Sequence, residues 1–135
     1  MEYNFPSKYK NNKFQPVDEY YIIVRLAEIY LLRAEARAQL NEANAALADL
    51  NTIRARAKLS SLVLADKKDI LSAIDLERRH ELFTEGHRWL DLKRSGSADS
   101  VLSQIKPGWQ PFARLYPIPS SEIQANPALT QNTGY

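Results

Sequence analysis

The sequence predicts an all-α protein, in which a helical hairpin and a further long helix precede an irregular, proline-rich C-terminal wrap. Apolar side chains recur at the three-and-four spacing of a helix face between residues 20 and 95. Five prolines then fall between residues 107 and 127, where that period is lost. The 135 residues fit one domain, with an extended lead-in over 1–19, a helical part over 20–95 and the wrap over 96–135.

The first two predicted helices form the hairpin. The helix over residues 20–40 is apolar nearly all round, so we expect it to be packed on more than one face. Asn41 and Asn44 interrupt the pattern, and a second apolar stripe follows over residues 43–57. A short polar turn between two helices makes them antiparallel, and the small residues of this pair resemble one tetratricopeptide unit.

A third helix is predicted from about Lys67 through Phe83, with Asp66 as its N-cap. Gly86 lies inside a pattern that is still helical, so the helix either continues past it or breaks there and restarts. Gly96 is the expected terminator, because glycine accepts the left-handed conformation that ends helices.

The wrap contains the candidate ligand contact. Its residues 115–119 are expected to be extended because of their prolines, and Ser121 and Gln124 fit a capping box for one helical turn. Trp109 lies in the loop "KPGWQPF", where its ring either stacks on a sugar or folds back to cover the helices. We predict that Trp109 is more exposed than Trp89, which lies on a helix stripe.

Composition excludes several classes of function. The formal net charge is only +2 and basic residues alternate with acidic ones, which argues against nucleic acid as a partner. No apolar stretch reaches the ~18 residues that a membrane span needs. The N-terminus shows no secretory signal, and the absence of cysteine excludes disulfides, thiolate metal sites and a lipid-carrying cysteine within these residues.

The sequence predicts no metal site, cofactor or catalytic residue. His80 and Glu81 open like the zinc-protease motif H-E-x-x-H, but Thr84 occupies the position of the second histidine, and His87 lies two turns from the first. Paired acids can cleave glycosides, yet the acids here alternate with arginines at helical spacing. Such a stripe neutralises itself, so its carboxylates are expected to stay ionised.

We predict structural roles for a set of charged and aromatic residues. Arg25 and Glu28 lie one turn apart on the first helix and suggest an internal ion pair, while Arg78 and Glu85 also fall on an apolar line and are expected to be buried. The full set is Arg25, Glu28, Arg78, Glu81, Glu85, Arg88, Trp89 and Asp91.

Three segments, in sequence order, resemble the SusD/RagB family. The pair "VRLAEIYLLRAEARAQL" and "ALADLNTIRARA" is similar to its signature helices, and "LYPIPSSEIQANPALTQNTGY" to its terminal wrap. The segment "AIDLERRHELFTEGHRWLDLKRSG" resembles the most recognisable stretch of the family. It is represented here by Glu77, Arg78, Glu81, Phe83, Glu85, Gly86, Arg88, Trp89, Asp91, Leu92 and Arg94.

The resemblance implies a non-enzymatic receptor on the cell surface. It would bind a glycan or other nutrient and deliver it to a SusC-like TonB-dependent transporter, held to the outer membrane by a lipid anchor that this chain does not contain. Members are several times longer, so the chain is expected to be a C-terminal fragment. The alternative from the residues is a tetratricopeptide-like adaptor that binds a protein segment. A third interpretation, a glycoside hydrolase, would need two carboxylates that converge across a pocket, and no such pair is identifiable in the sequence.

Overall fold

The computed structural model describes residues 23–135, which fold into two compact units. The first unit ends at Glu85 and the second spans Gly86–Tyr135. The predicted all-α fold is confirmed, since every regular element in the described part of the chain is helical. These elements are α1 (Leu26–Gln39), α2 (Ala43–Arg56), α3 (Lys67–Glu81), α4 (His87–Arg94), α5 (Ala98–Ile105), a 3-10 turn (Pro111–Arg114) and α6 (Ser120–Ala125).

Helix α1 begins later than predicted. Arg25 precedes it in extended backbone, with φ −110° and ψ 148°, so the helix starts at Leu26 instead of residue 20. The predicted lead-in over residues 1–19 lies outside the described residues. Because Arg25 is extended, its side chain can reach across the end of the helix.

The hairpin of α1 and α2 is closed by Asn41. Its φ of 65° is left-handed, its N–H donates to Ala38 O at 3.1 Å, and the N–H of Glu42 donates to Arg37 O at 2.8 Å. This Schellman pattern ends a helix in two residues, and asparagine is one of the few residues other than glycine that adopts it readily. The predicted polar break is confirmed.

The core of the first unit lies where α1, α2 and α3 meet. Alanines on α1 and α2 let the two helices approach closely, and Ile70 and Ile74 of α3 close the third side. The buried apolar residues are Ala27, Leu31, Ala34, Ala38, Ala46, Leu47, Leu50, Ile53, Ile70 and Ile74. The predicted packing of α1 on a second face is not observed among residues 23–135, since Ile29 on that face is 47% exposed.

Helix α3 starts and ends on identifiable signals. Asp66 Oδ1 accepts from the N–H groups of Lys68 at 2.8 Å and Asp69 at 3.2 Å, which confirms the predicted N-cap. The helix ends at Glu81, and Gly86 at φ 80° marks the break before α4. Of the two possibilities left open at Gly86, the structure has the break.

The second unit contains a helix that the sequence did not predict. Gly96 ends α4 as expected, with φ 70° and its N–H donating to Lys93 O at 3.2 Å, and α5 follows at once. With eight residues, α5 is too short for its apolar spacing to stand out. The buried residues Leu92, Ala98 and Leu102, with the half-buried Trp89, Val101 and Trp109 around them, form the core of this unit.

Helix α6 corrects the predicted capping box. It begins at Ser120, with Pro119 in the N-cap position and no side-chain cap, so Ser121 already lies within its first turn. Pro119 has no N–H and pre-sets φ at −55°, which suits the entry to a helix. Asn126 then ends the helix in extended backbone, as expected from the proline that follows.

The last residues of the chain bind the backbone of the extended segment 115–118. The side chain of Gln131 accepts from Ile118 N–H at 2.8 Å and donates to Ile118 O at 2.9 Å. Asn132 donates to Tyr116 O at 2.7 Å, and the Tyr135 hydroxyl donates to Leu115 O at 2.7 Å. The wrap is thus held by side chains instead of by a ladder between strands.

Among the described residues, no helix has both the length and the apolar character to cross a membrane.

Candidate functional site

Arg25 connects the start of α1 to the end of α3. Its guanidinium donates to both carboxylate oxygens of Glu85 at 2.8 and 2.9 Å, to Glu81 Oε1 at 2.7 Å and to the carbonyl of Glu81 at 2.8 Å. Arg56, the last residue of α2, reaches Glu81 Oε2 at 2.5 Å. Three helix ends therefore meet at one ion cluster, which we call the Arg25 clamp (Arg25, Arg56, Glu81 and Glu85).

The carboxylates of the Arg25 clamp are held in the charged form. Burial raises the pKa of Glu81, but hydrogen bonds from Arg56 and Arg25 outweigh it and bring the pKa below its usual value. The hydrogen bond to Glu85 in turn raises the pKa of Arg25 above its ordinary range. This is the arrangement of a structural ion cluster, since a general acid near neutral pH needs a raised pKa.

The geometry corrects the continuous helix face that was predicted for the charged stripe. Because α3 ends at Glu81, the residues Arg78, Glu81, Glu85 and Arg88 do not lie on one continuous helix face. Glu85 pairs with Arg25 at the start of α1, and Glu81 pairs with Arg25 and with Arg56 of α2. Arg78 is buried in α3, at 3% exposure, as expected. Compensation across helices fixes a tertiary arrangement, which a stripe along one helix would not do.

Sequence reasoning missed a second ion cluster, inside the hairpin. Asp49 of α2 is buried and accepts from Arg33 Nε at 2.9 Å, Arg33 Nη2 at 2.8 Å and Arg37 Nη1 at 2.7 Å. Hydrogen bonds from Arg33, with the charge of Arg37, hold the pKa of Asp49 below its usual value. The available signal was an aspartate within the apolar stripe of α2 facing two arginines four residues apart.

The other residues predicted to be structural are distributed between both units. Glu28 lies in the first turn of α1, and Arg88 lies in α4. Asp91 is buried in α4, and its Oδ1 accepts from Arg94 Nη2 at 3.1 Å. Within residues 23–135, no group of three or more acidic or histidine side chains is placed to hold a metal ion.

Trp109 belongs to an aromatic cluster in the second unit. Its ring meets that of Trp89 edge to face, with centroids 6.2 Å apart and planes at 77°, and its Nε1 donates to Asp99 Oδ1 at 3.0 Å. Both tryptophans are half-buried. The ring of Trp109 therefore folds back on α4 and α5 and still exposes part of its surface. Its predicted greater exposure relative to Trp89 stays a prediction.

The cluster also contains Tyr116 and Lys93, which the sequence did not single out. Tyr116 meets Trp89 edge to face at 6.4 Å and is 67% exposed. The Lys93 ammonium lies 5.4 Å from the Trp89 ring centroid and 5.7 Å from that of Tyr116. We call these two residues, with Trp89 and Trp109, the aromatic corner. A lysine four residues after a tryptophan on α4 was the local signal for it.

Comparison with known proteins identifies the family. Residues 4–135, nearly the whole chain, match the model of the SusD family. The chain belongs to the SusD family. Its hairpin of α1 and α2 is the tetratricopeptide-like element expected of a SusD-type fold.

Several SusD-like proteins are similar to this chain. SusD-like protein P38 from Formosa agariphila is 34% identical over 140 residues, covering 96% of this chain and 28% of its own length. Starch-binding protein SusD from Bacteroides thetaiotaomicron is 36% identical over 121 residues, covering 84% of this chain and 21% of its own length. The chain thus spans about a quarter of the length of these relatives.

Solved structures of SusD-like proteins have the same fold. A SusD-like protein from Bacteroides fragilis superimposes with a TM-score of 0.74 at 30% identity, covering 84% of this chain and 26% of that one. A laminarin-binding SusD-like protein superimposes with a TM-score of 0.70 at 39% identity, covering 84% of this chain and 23% of that one.

Proposed function

We propose that this chain is part of a cell-surface receptor that binds a glycan and delivers it to a SusC-like TonB-dependent transporter in the outer membrane. The observation that carries the proposal is the nature of the similar proteins. Two of them, aligned over 84% of this chain, are named for binding starch and laminarin. Both ligands are polysaccharides, which makes a glycan the first ligand class to test.

The described residues contribute to this function mainly by holding the helices in place. The Arg25 clamp ties together α1, α2 and α3, and Asp49 ties Arg33 and Arg37 across the hairpin. Ion clusters that join elements in this way set a geometry at a cost in desolvation, so their value is positional. In this proposal the first unit is a rigid support.

Trp109 is the proposed ligand contact in the second unit. Its ring is held from one side by Trp89 and by the hydrogen bond to Asp99, so the exposed part is presented in one orientation. A ring already fixed before binding loses little conformational entropy when a sugar stacks on it. The proposal requires the ring itself, and the indole N–H is already used by Asp99.

The test uses the protein expressed from its complete gene. Isothermal titration with starch and laminarin oligosaccharides is expected to show binding, and affinity purification from outer membranes is expected to recover a TonB-dependent transporter. Trp109→Phe keeps an aromatic face but loses the hydrogen bond to Asp99, so it should weaken binding less than Trp109→Leu, which removes the aromatic face. Absence of binding across a broad glycan panel, together with no transporter recovered, would contradict the proposal.

The same preparation separates the alternatives. The tetratricopeptide-like hairpin is the observation that favours an adaptor, which would co-purify with a soluble protein and show no glycan dependence. A glycoside hydrolase would release reducing ends. We expect no such turnover, because the clamp keeps Glu81 ionised, and turnover lost in Glu81→Gln would refute this expectation.

A further inference from the structure

The aromatic corner combines two features that recognise different parts of one sugar. Tyr116 is 67% exposed, and the Lys93 ammonium lies 5.7 Å from the centroid of its ring. An aromatic face packs against the C–H face of a pyranose, while an ammonium is a compact point charge for an acidic substituent. One stacked sugar that carries an acid can contact both groups.

Lys93 is available for such a contact. Within the described residues its ammonium contacts the rings of Trp89 and Tyr116 and no carboxylate. Two arginines of the second unit differ from Lys93, since Arg94 pairs with Asp91 at 3.1 Å and Arg114 lies 3.4 Å from Asp99. The ammonium is thus placed beside an aromatic surface without a neutralising partner in that part of the chain.

The ring of Tyr116 is also held in position before any ligand arrives. Asn132 fixes the carbonyl of Tyr116 at 2.7 Å, Pro117 fixes the backbone after it, and Trp89 supports the ring from its edge. An exposed aromatic ring on a free loop would lack these constraints. Pre-organisation of this kind raises affinity because less freedom is lost on binding.

We propose that Tyr116 and Lys93 form a subsite for an acidic sugar, one that carries a carboxylate or a sulfate ester. The subsite rests on the proposed glycan-binding function and adds a ligand class to it. The ring of Tyr116 supplies contact with any pyranose, and Lys93 supplies the preference for negative charge. Charge preference and sugar binding are therefore separable in experiment.

The experiment compares two oligosaccharides of equal length, a galacturonate tetramer and neutral maltotetraose, titrated calorimetrically into the full chain. Lys93→Gln is expected to weaken galacturonate binding about two- to five-fold, the effect of one exposed ion pair, and to leave maltotetraose binding unchanged. Tyr116→Leu is expected to weaken both, and Tyr116→Phe to restore them. Lys106→Gln is the matched control, because Lys106 is an exposed lysine of the same unit that contacts the aromatic corner only through its backbone carbonyl, which accepts from Trp109 N–H at 3.1 Å.

Ionic strength gives a readout that a purely structural role would not change. Raising salt to about 1 M shortens the screening length to ~3 Å, so the preference for galacturonate should disappear while maltotetraose binding persists. The inference is overturned if Lys93→Gln behaves like Lys106→Gln, if Tyr116→Leu binds both sugars normally, or if the wild type binds neither probe. Starch or laminarin binding that survives these outcomes leaves the proposed function intact, whereas loss of all glycan binding removes both.

Discussion

Gly134→Ala tests how tightly the end of the chain packs on Phe112 within the wrap. Gly134 has φ 103°, and a Cβ built on it would lie 2.4, 2.6 and 2.8 Å from three ring atoms of Phe112. The left-handed backbone costs an alanine about 1–2 kcal/mol, and displacing a packed ring adds about 1–3 kcal/mol. Phe112 is 37% exposed, so its ring can move outward, and we expect the lower part of that range, about 2 kcal/mol in total.

Gly108→Ala separates backbone strain from the steric clash. Gly108 has a similar left-handed φ of 80°, but its Cβ would meet nothing within 4 Å. This variant should therefore lose only the strain, about 1 kcal/mol. Both tryptophans of the chain, Trp89 and Trp109, lie in the second unit, so urea unfolding followed by tryptophan fluorescence reports that unit directly.

A double-mutant cycle completes the design. In a Phe112→Ala background the clash is gone, so adding Gly134→Ala should cost no more than Gly108→Ala costs in the wild type. Equal losses for Gly134→Ala and Gly108→Ala in the wild-type chain would refute the reasoning. The same conclusion would follow if the loss at Gly134 did not depend on Phe112.

Three further changes probe the first unit, each measured by urea unfolding followed by far-UV circular dichroism. Asp66→Ala removes the cap of α3 and should cost about 1 kcal/mol, whereas Asp66→Ser should keep most of it. Thr84→Gly should stabilise by about 1 kcal/mol, because a β-branched residue at φ 68° is strained, and a loss would contradict this. Asp49→Asn should cost about 1.5–3 kcal/mol at neutral pH through weaker hydrogen bonds to Arg33 and Arg37. Since the folded-state pKa of Asp49 is lowered, its stabilisation is present above the ordinary value near 3.8 and is lost as pH falls through the folded-state pKa. Between pH 5 and 2, roughly, the wild type should thus lose more stability than the variant, and parallel curves would refute the assignment.

The local features of the fold were accessible from sequence because their causes are local. The apolar period, repeated over about four turns, predicts the three long helices. The cap at Asp66 and the terminator at Gly96 each depend on residues within one turn. Helix α5 was missed because eight residues give only two turns of pattern. Thr84, like Gly86, has a left-handed backbone before α4. The sequence does not predict this at Thr84, because threonine rarely adopts a positive φ.

The candidate site was less accessible because its contacts are long-range. Helical spacing predicts an ion pair between Arg25 and Glu28, one turn away. The guanidinium of Arg25 instead binds Glu81 and Glu85, which lie 56 and 60 residues along the chain. Helical spacing describes neighbours on one element and carries no information about which element packs beside it. Likewise, the sequence places Trp109 in a loop and Tyr116 in an extended segment, and only the fold of the second unit brings both rings onto Trp89.

The side-chain contacts of Gln131 and Asn132 have a consequence for association between molecules. An extended segment such as 115–118 exposes the backbone donors and acceptors that an intruding strand would use, and such edges promote aggregation. Here the amide groups of Gln131 and Asn132 occupy the polar backbone groups of Ile118 and the carbonyl of Tyr116, while proline has no N–H to offer at position 117. The segment is closed to strand addition by its own chain, which protects the protein from unwanted pairing with neighbouring molecules.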